Sequence, residues 1–371
     1  MNQLEELRRR INETDAEMAG LFEHRMELRA QIAAYKKERG LSVRDPVREA
    51  MVIDSNLARI RNPEIGEYYV RYLKSVMDLS CDYQIRLMEG MKVAFCGVEG
   101  AFAWIAAEKM FPGAWLVPYT GFQDAYHAAE TGECDCAVLP IENSTAGEVG
   151  TVMDLLFSGG LFINQVMECP IRHSLMGIPG TSRNGIRTVL SHPQALEQCS
   201  RYIREHRLET ESCSNTAVAA RTVLEREDPA LAAIASEETA EKFGLEIFDH
   251  SVQDIESNTT RFAAFSRTQN TPDTMRRRGD ENFILVFTVR NEAGSLAQAL
   301  NIIGAHGYNM RSLRSRPMKG LQWNYYFYIE AEGNICSGDG DSLLRELSAV
   351  CARLKLVGTF RTGWSGGGER P

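Results

Sequence analysis

Between residues 4 and 35 the side chains of one seam fall at alternating steps of three and four. Leu4, Leu7, Ile11, Met18, Leu21, Leu28, Ile32 and Tyr35 carry it, with Thr14 and Arg25 at the remaining seam positions. This spacing puts all of them on one stripe of an α-helix. The helix, roughly 30 residues long, far exceeds the ~11–12 residue mean of globular helices, which implies packing along another long helix. A second subunit is the partner the pattern points to. Asp45 is then placed to cap a second helix with Pro46 at its first position, and a third helix is expected over about 64–88, after Asn62-Pro63. Residues 1–90 therefore read as an all-α domain.

At Met91-Lys92-Val93-Ala94-Phe95-Cys96-Gly97 the texture changes to a short apolar strand ending in glycine, followed by a helix-like 101–110. Cys136–Pro140, Thr188–Ser191 and Leu231–Ala235 are further strand candidates, each followed by helical or glycine-punctuated chain, the pattern of an α/β domain over 91–270. A polar segment with Pro272, residues 271–280, suits a linker. From residue 281 to 362 the expected order is strand, helix, strand, strand, helix, strand, a ferredoxin-like βαββαβ unit. Residues 363–371, glycine-rich, read as a tail.

A chain of 371 residues needs two or three domains, and this reading gives three. A net charge of −9 argues against broad contact with nucleic acid or an anionic membrane, though a local cationic pocket remains compatible with it. The N-terminus lacks the order of a signal peptide and no window reaches the ~20 apolar residues of a membrane span, so a cytoplasmic protein is expected. The nine cysteines show no zinc-ligand or disulfide spacing and read as free thiols, with no metal and no cofactor implied.

Arg25 occupies a seam position that periodicity assigns to an apolar side chain, so it either meets a partner charge or faces a ligand. Lys36, eleven residues on, returns to within about 20° of the same face. Ser80 and Gln84, four apart, offer two neutral hydrogen-bonding groups on one face of the third helix. Together with Arg8, Asp45, Arg48 and Glu49, these positions match the all-helical chorismate mutases in order and spacing, and residues 1–90 resemble that family. The resemblance implies that Arg8, Arg25 and Arg48 hold the two carboxylates of chorismate in its compact conformer, Lys36 and Gln84 stabilise charge growing on the ether oxygen, and Glu49 binds the substrate hydroxyl. Asp45 and Ser80 complete the chorismate-binding set. The rearrangement is concerted and requires neither nucleophile nor metal. Arg8 points roughly 100° away from Arg25 around the helix, and the family implies that it serves the second site of an intertwined dimer.

The central region contains Pro140-Ile141-Glu142-Asn143-Ser144-Thr145-Ala146-Gly147, Ser191-His192-Pro193-Gln194 with Gln198, Asn215-Thr216-Ala217, and Asn258-Thr259-Thr260-Arg261-Phe262. It resembles the prephenate dehydratases. That resemblance implies a two-lobed, periplasmic-binding-protein-like α/β fold with the site in the cleft, and a catalytic hydroxyl at Thr260 that assists departure of the ring hydroxyl as carbon dioxide leaves. Asn143, Ser191, Gln198 and Thr216 are expected to orient prephenate, and Arg261 to pair with a carboxylate. His192 precedes a proline after a strand and reads as a turn element rather than an acid–base group. In the loop 97–104 relatives usually have proline at Val98 and hydroxyl residues near Ala101 and Ala103, so any anion contact there falls to backbone amides at a helix start.

Residues 281–362 resemble the ACT domains, which bind amino acids between paired copies, and in dehydratases of this kind the ligand is phenylalanine. Gly294, Ser295 and Leu296 at a helix start, with Asn309 and Ser315 on the next strand, are the effector-binding positions this implies. Arg314 stands where a glutamate is usual before Ser-Arg-Pro. The whole chain thus reads as a bifunctional enzyme with chorismate, prephenate and phenylalanine as ligands, assembled as a homodimer or a dimer of dimers. Two alternatives are a mutase with a degenerate dehydratase domain, which the intact Thr260-Arg261-Phe262 disfavours, and a non-catalytic amino-acid sensor, which the retained mutase cations disfavour. A Rossmann oxidoreductase lacks its Gly-x-Gly-x-x-Gly after the 92–96 strand.

Overall fold

The computed structural model describes residues 3–269, 281–318 and 324–361. The expected linker and tail lie outside these residues. The chain divides into two compact units, Met1–Met91 and Lys92–Pro371.

The first unit is helical throughout: α1 (Gln3–Arg39), α2 (Pro46–Leu57) and α3 (Gly66–Glu89). The Asp45 carboxylate accepts the Arg48 N–H at 3.0 Å and Pro46 opens the helix, so α2 begins where its capping chemistry places it. α3 is preceded by a single 3₁₀ turn, Pro63–Ile65, capped by the Asn62 side chain. α3 buries Leu73, Val76, Met77 and Cys81, whereas α1 buries Ala33 alone.

The second unit opens with β1 (Lys92–Cys96), α4 (Phe102–Met110), β2 (Trp115–Tyr119), α5 (Phe122–Thr131), β3 (Cys136–Asn143), β4 (Gly147–Glu148), α6 (Gly150–Ser158) and β5 (Phe162–Pro170). It continues with β6 (Ser174–Gly177), β7 (Thr188–Ser191), α7 (Pro193–Gln198), α8 (Ser200–Glu205), β8 (Glu209–Ser212) and α9 (Thr216–Arg226). Then follow β9 (Leu231–Ala235), α10 (Glu237–Phe243), β10 (Glu246–Asp249) and β11 (Thr259–Ser266). The last stretch is β12 (Glu281–Thr288), α11 (Ser295–Ala305), β13 (Asn309–Pro317), β14 (Tyr325–Glu332), α12 (Gly338–Val350) and β15 (Arg353–Arg361).

Two α/β lobes result. One is built on the strand order β5-β11-β3-β1-β2, the other on β10-β6-β9-β7-β8. The chain crosses between them twice, after β5 and before β11. The crossings are tied by the Ile171 N–H to Asn258 O bond at 2.8 Å. Each sheet is packed on both faces, as a sheet between helices requires: Leu175, Val189 and Ile234 on one side of the second, Met176, Leu190 and Ala233 on the other.

The final six elements form βαββαβ, with strand order β13-β14-β12-β15 and every neighbouring pair antiparallel. Phe283, Leu285 and Phe287 point to α11 and α12. The intervening Ile284 and Val286 point the other way and share a core with Leu139, Val152, Leu156 and Ile163 of the first lobe. β15 also runs beside β5, where a Cβ on Gly358 would stand 1.9 Å from the Ile163 carbonyl oxygen. Only glycine permits that approach. All nine cysteines are unbridged.

Candidate active sites

In the first unit, the Arg25 guanidinium hydrogen-bonds the Ser80 hydroxyl and, at 3.3 Å, the Val76 carbonyl. No carboxylate among the described residues pairs with it. Burial and the neighbouring Arg29 pull its pKa below the ordinary arginine value. A half-buried cation compensated only by neutral groups is a site prepared for an anion. Gln84, one turn beyond Ser80, is fully buried; its Nε2 donates to Ser80 O at 3.1 Å while its Oε1 has no partner. Lys36 Nζ donates to Val43 O at 2.7 Å, which leaves two ammonium hydrogens for a ligand. Asp45 is committed to its helix cap. Arg8 and Arg48 are exposed and Glu49 half-buried. The structure thus joins Arg25, Ser80 and Gln84 directly, while among the described residues no hydrogen bond or ion pair links Arg8, Arg48 or Glu49 to them.

In the second unit, a cavity of about 430 Å³ lies between the two lobes. Asn143, Gln198, Thr216 and Thr260 line it, as expected from sequence. The central feature is the cross-strand pair of Asn143 on β3 and Thr260 on β11. Asn143 Oδ1 accepts the N–H groups of Thr145 at 3.0 Å and Ala146 at 2.8 Å, which fixes the amide orientation. Its Nδ2 then donates to Asn258 Oδ1 at 2.8 Å and to Thr260 Oγ1 at 2.9 Å. Thr260 therefore receives a hydrogen bond on its oxygen and keeps its own hydrogen for another acceptor.

No lysine or arginine lines this cavity among the described residues. Positive potential comes from helix starts instead. Ala101, Phe102 and Ala103 open α4 on the cavity wall with no side-chain cap, and Thr216 opens α9. The lobes meet around that entrance: Thr239 Oγ1 donates to Gly100 O at 2.8 Å, and Lys109–Glu238 and Lys242–Glu99 pair at 2.7 Å.

Two sequence expectations require correction. Ser191 is fully buried and its hydroxyl donates to Ile234 O at 2.6 Å, so it ties β7 to β9 rather than facing the cavity. Arg261, one residue past Thr260, points to the opposite side of the sheet, where it grips Glu330 through two bonds of 2.8 Å. Strand alternation forbids both Thr260 and Arg261 from facing one cleft. His192 accepts the Gln194 N–H at 3.2 Å and serves as a helix cap.

His173 belongs to no motif legible in the sequence. It lies on the first crossing, lines the cavity, and holds Gln198 Oε1 through Nε2 at 3.1 Å, with Nδ1 buried and unpartnered. Burial lowers its pKa, the Gln198 bond acting in the opposite sense, so a neutral ring is favoured. Sequence offered only a histidine ahead of an apolar run, and the crossing that brings it to the cleft is a tertiary feature.

Of the proposed effector positions, Gly294 takes a left-handed φ of 88° at the start of α11, with no side-chain cap. Asn309 and Ser315 are exposed on β13, the edge strand of the sheet, and Asn309 donates to Glu332 at 2.8 Å.

A helical site of cations and one buried amide, followed by an interlobe cleft centred on a threonine hydroxyl, is the arrangement expected of a mutase joined to an α/β dehydratase. Residues 7–85 match the type II chorismate mutase family and residues 93–270 the prephenate dehydratase family. The chain is 30% identical over 365 residues to the bifunctional chorismate mutase/prephenate dehydratase of Neisseria gonorrhoeae, covering 96% of each chain. It belongs to the bifunctional chorismate mutase/prephenate dehydratase family. Two solved structures superpose with TM-scores of 0.66. One is a prephenate dehydratase from Arthrobacter aurescens in complex with L-Phe, 28% identical, covering 73% of this chain and 90% of that one. The other is described as a quorum-quenching acylase, 32% identical, covering 74% and 98%. Among the described residues no helix is long and apolar enough to cross a membrane.

Proposed function

We propose that the chain catalyses two consecutive cytoplasmic reactions, chorismate to prephenate in the helical unit and prephenate to phenylpyruvate in the cleft, with phenylalanine as feedback inhibitor. The observation that carries the second step is the Asn143–Thr260 pair. As the bond to the ring carboxylate breaks, its electron pair enters the ring, carbon dioxide departs and the ring hydroxyl is expelled. The Thr260 hydrogen, left free by the Asn143 bond, goes to that oxygen, which leaves as water; solvent returns the proton to Thr260. Aromatisation drives the step, so a weak acid suffices. The uncapped α4 start, together with Gln198 and Thr216, holds the substrate carboxylate that is retained.

For the first step, Arg25 supplies the uncompensated cation, with Arg8 and Arg48, while Lys36 and Gln84 stabilise the charge growing on the ether oxygen. The exposed α1 seam supports a second copy as partner, with Leu21 70% and Ile11 60% accessible in the single chain. That copy contributes its Arg8. Sedimentation of the intact protein tests this, and a monomer at micromolar concentration contradicts it.

For the regulatory step, residues 281–362 are read as an ACT domain. The edge of β13, unpaired among the described residues, supports pairing of two copies there, with Gly294, Ser295 and Leu296 offering backbone donors to the phenylalanine carboxylate and Asn309 and Ser315 completing the site. Calorimetry with phenylalanine, paired with inhibition of phenylpyruvate formation, tests the reading. Absence of binding at millimolar ligand removes it.

A further inference from the structure

Two adjacent cross-strand pairs of β3 and β11 face opposite sides of one sheet. Asn143 and Thr260 face the cleft; Glu142 and Arg261, directly opposite each other in the ladder, face the C-terminal βαββαβ module. There the Arg261 guanidinium is held fork to fork by Glu330 of β14, at 2.8 Å for each bond, and lies 3.4 Å from Glu142. Glu330 is nearly closed off from solvent, with 3% of its side chain exposed. Although burial works to lower it, the hydrogen bond and charge of Glu330 raise the Arg261 pKa.

The cluster continues onto β13. Arg314 pairs with Glu142 and lies 3.6 Å from Glu148; Arg316 pairs with Glu148 and reaches Asp154 at 3.3 Å. Tyr326 donates to the same Asp154 at 3.0 Å. β13 alternates in the same manner as β11. Arg314 and Arg316 are turned inward to these carboxylates, while Leu313 and Ser315 are exposed on the other side. Glu148 also lines the cleft. A displacement of β13 is thus met at Glu142 on β3, the strand that carries Asn143, and through the shared Glu142 at Arg261 on β11, next to Thr260.

We propose that Arg261 is a positioning residue of the dehydratase: anchored by Glu330 and sharing Glu142 with Arg314, it holds β11 in register so that Thr260 meets Asn143, and it couples the C-terminal module to that pair. The first half rests on the dehydratase reading, the second on phenylalanine as effector. Arg261 touches no substrate, and the bidentate geometry matters more than the charge, since lysine cannot make the paired bonds.

The test is steady-state kinetics on prephenate for full-length Arg261→Lys, Glu330→Gln and the double variant, with phenylalanine inhibition and calorimetry in parallel. Each single variant is expected to lose roughly tenfold in kcat with KM changed less than about threefold, and the double variant to be no worse than the weaker single, because both remove one anchor. A rise in KM of about tenfold or more for Arg261→Lys with kcat intact, or a silent Glu330→Gln, overturns the proposal in favour of a direct substrate contact. Arg314→Gln, at the more open edge of the cluster, guards against misfolding of the buried variants. It is expected to bind phenylalanine as wild type does while losing much of the inhibition; full inhibition overturns the coupling. Wild-type protein that binds no phenylalanine removes the effector reading and the coupling, leaving the kcat and KM comparison to decide positioning. Wild-type protein that makes no phenylpyruvate overturns the dehydratase reading and the positioning role together.

Discussion

Asn143 Nδ2 stands 2.9 Å from Thr260 Oγ1 across the β3–β11 ladder, and two backbone N–H groups bound to Asn143 Oδ1 prevent the amide from reversing. The direction of that bond decides where the threonine hydrogen goes. Thr260→Ala is therefore expected to lower phenylpyruvate formation by about 10²–10⁴-fold, the usual contribution of a positioned proton donor, and to let prephenate accumulate from chorismate. Thr260→Ser keeps partial activity. Equal rates for alanine and serine would remove the hydroxyl from the mechanism.

Asn143→Asp reverses the polarity of the same contact. A carboxylate accepts from Thr260 instead of donating to it, and it also faces Asn258 Oδ1, which accepted from the amide. Dehydratase turnover is expected to fall on the order of 10²-fold or more near neutral pH, with partial recovery on acidification as the carboxyl takes up a proton and can donate again. A pH-independent defect would contradict this account of the bond.

His173 sets an acid-side dependence of stability. Its folded-state pKa is lowered below 6.5 by burial, so the unfolded chain binds this proton at a higher pH than the folded one does. The associated stability is present above about 6.5 and is lost as pH falls toward the folded value. Melting temperatures at pH 7.5, 6.5 and 5.5 should fall more steeply for wild type than for His173→Gln. Parallel slopes would show that His173 takes up its proton equally in both states.

Arg25→Ala should abolish mutase activity while leaving turnover of supplied prephenate intact, because Arg25 and Thr260 belong to separate compact units. Lys36→Ala, which removes a donor to the developing ether-oxygen charge, should lower mutase turnover by about 10²–10³-fold. Loss of both activities together in a folded Arg25 variant would contradict the separation, and near-normal mutase turnover would remove Lys36 from the site.

The legible parts of the fold are those written in local chemistry. The α1 seam, the Asp45–Pro46 start of α2 and the βαββαβ order after residue 280 follow from periodicity and capping within a few residues of chain. The faces of β11 do not. Ala263, Ala264 and Phe265 are buried on both sides of a covered strand, so no alternation of polarity tells which side Arg261 takes. Its partner Glu330 is 69 residues away. The inward turn of Ser191 is hidden for a related reason, its acceptor Ile234 belonging to a strand 43 residues on. In the helical unit only Arg25, Ser80 and Gln84 of the expected residues are brought into direct contact, through the packing of α1 on α3, which no local pattern specifies.

The most direct test of the central claim is to give the purified full-length protein chorismate alone and follow prephenate and phenylpyruvate over time in the same reaction. Prephenate should appear first and phenylpyruvate after it, with the second product absent and prephenate accumulating for Thr260→Ala. Failure of wild-type protein to consume chorismate, or accumulation of prephenate with no phenylpyruvate, would contradict the assignment of two active sites to this chain.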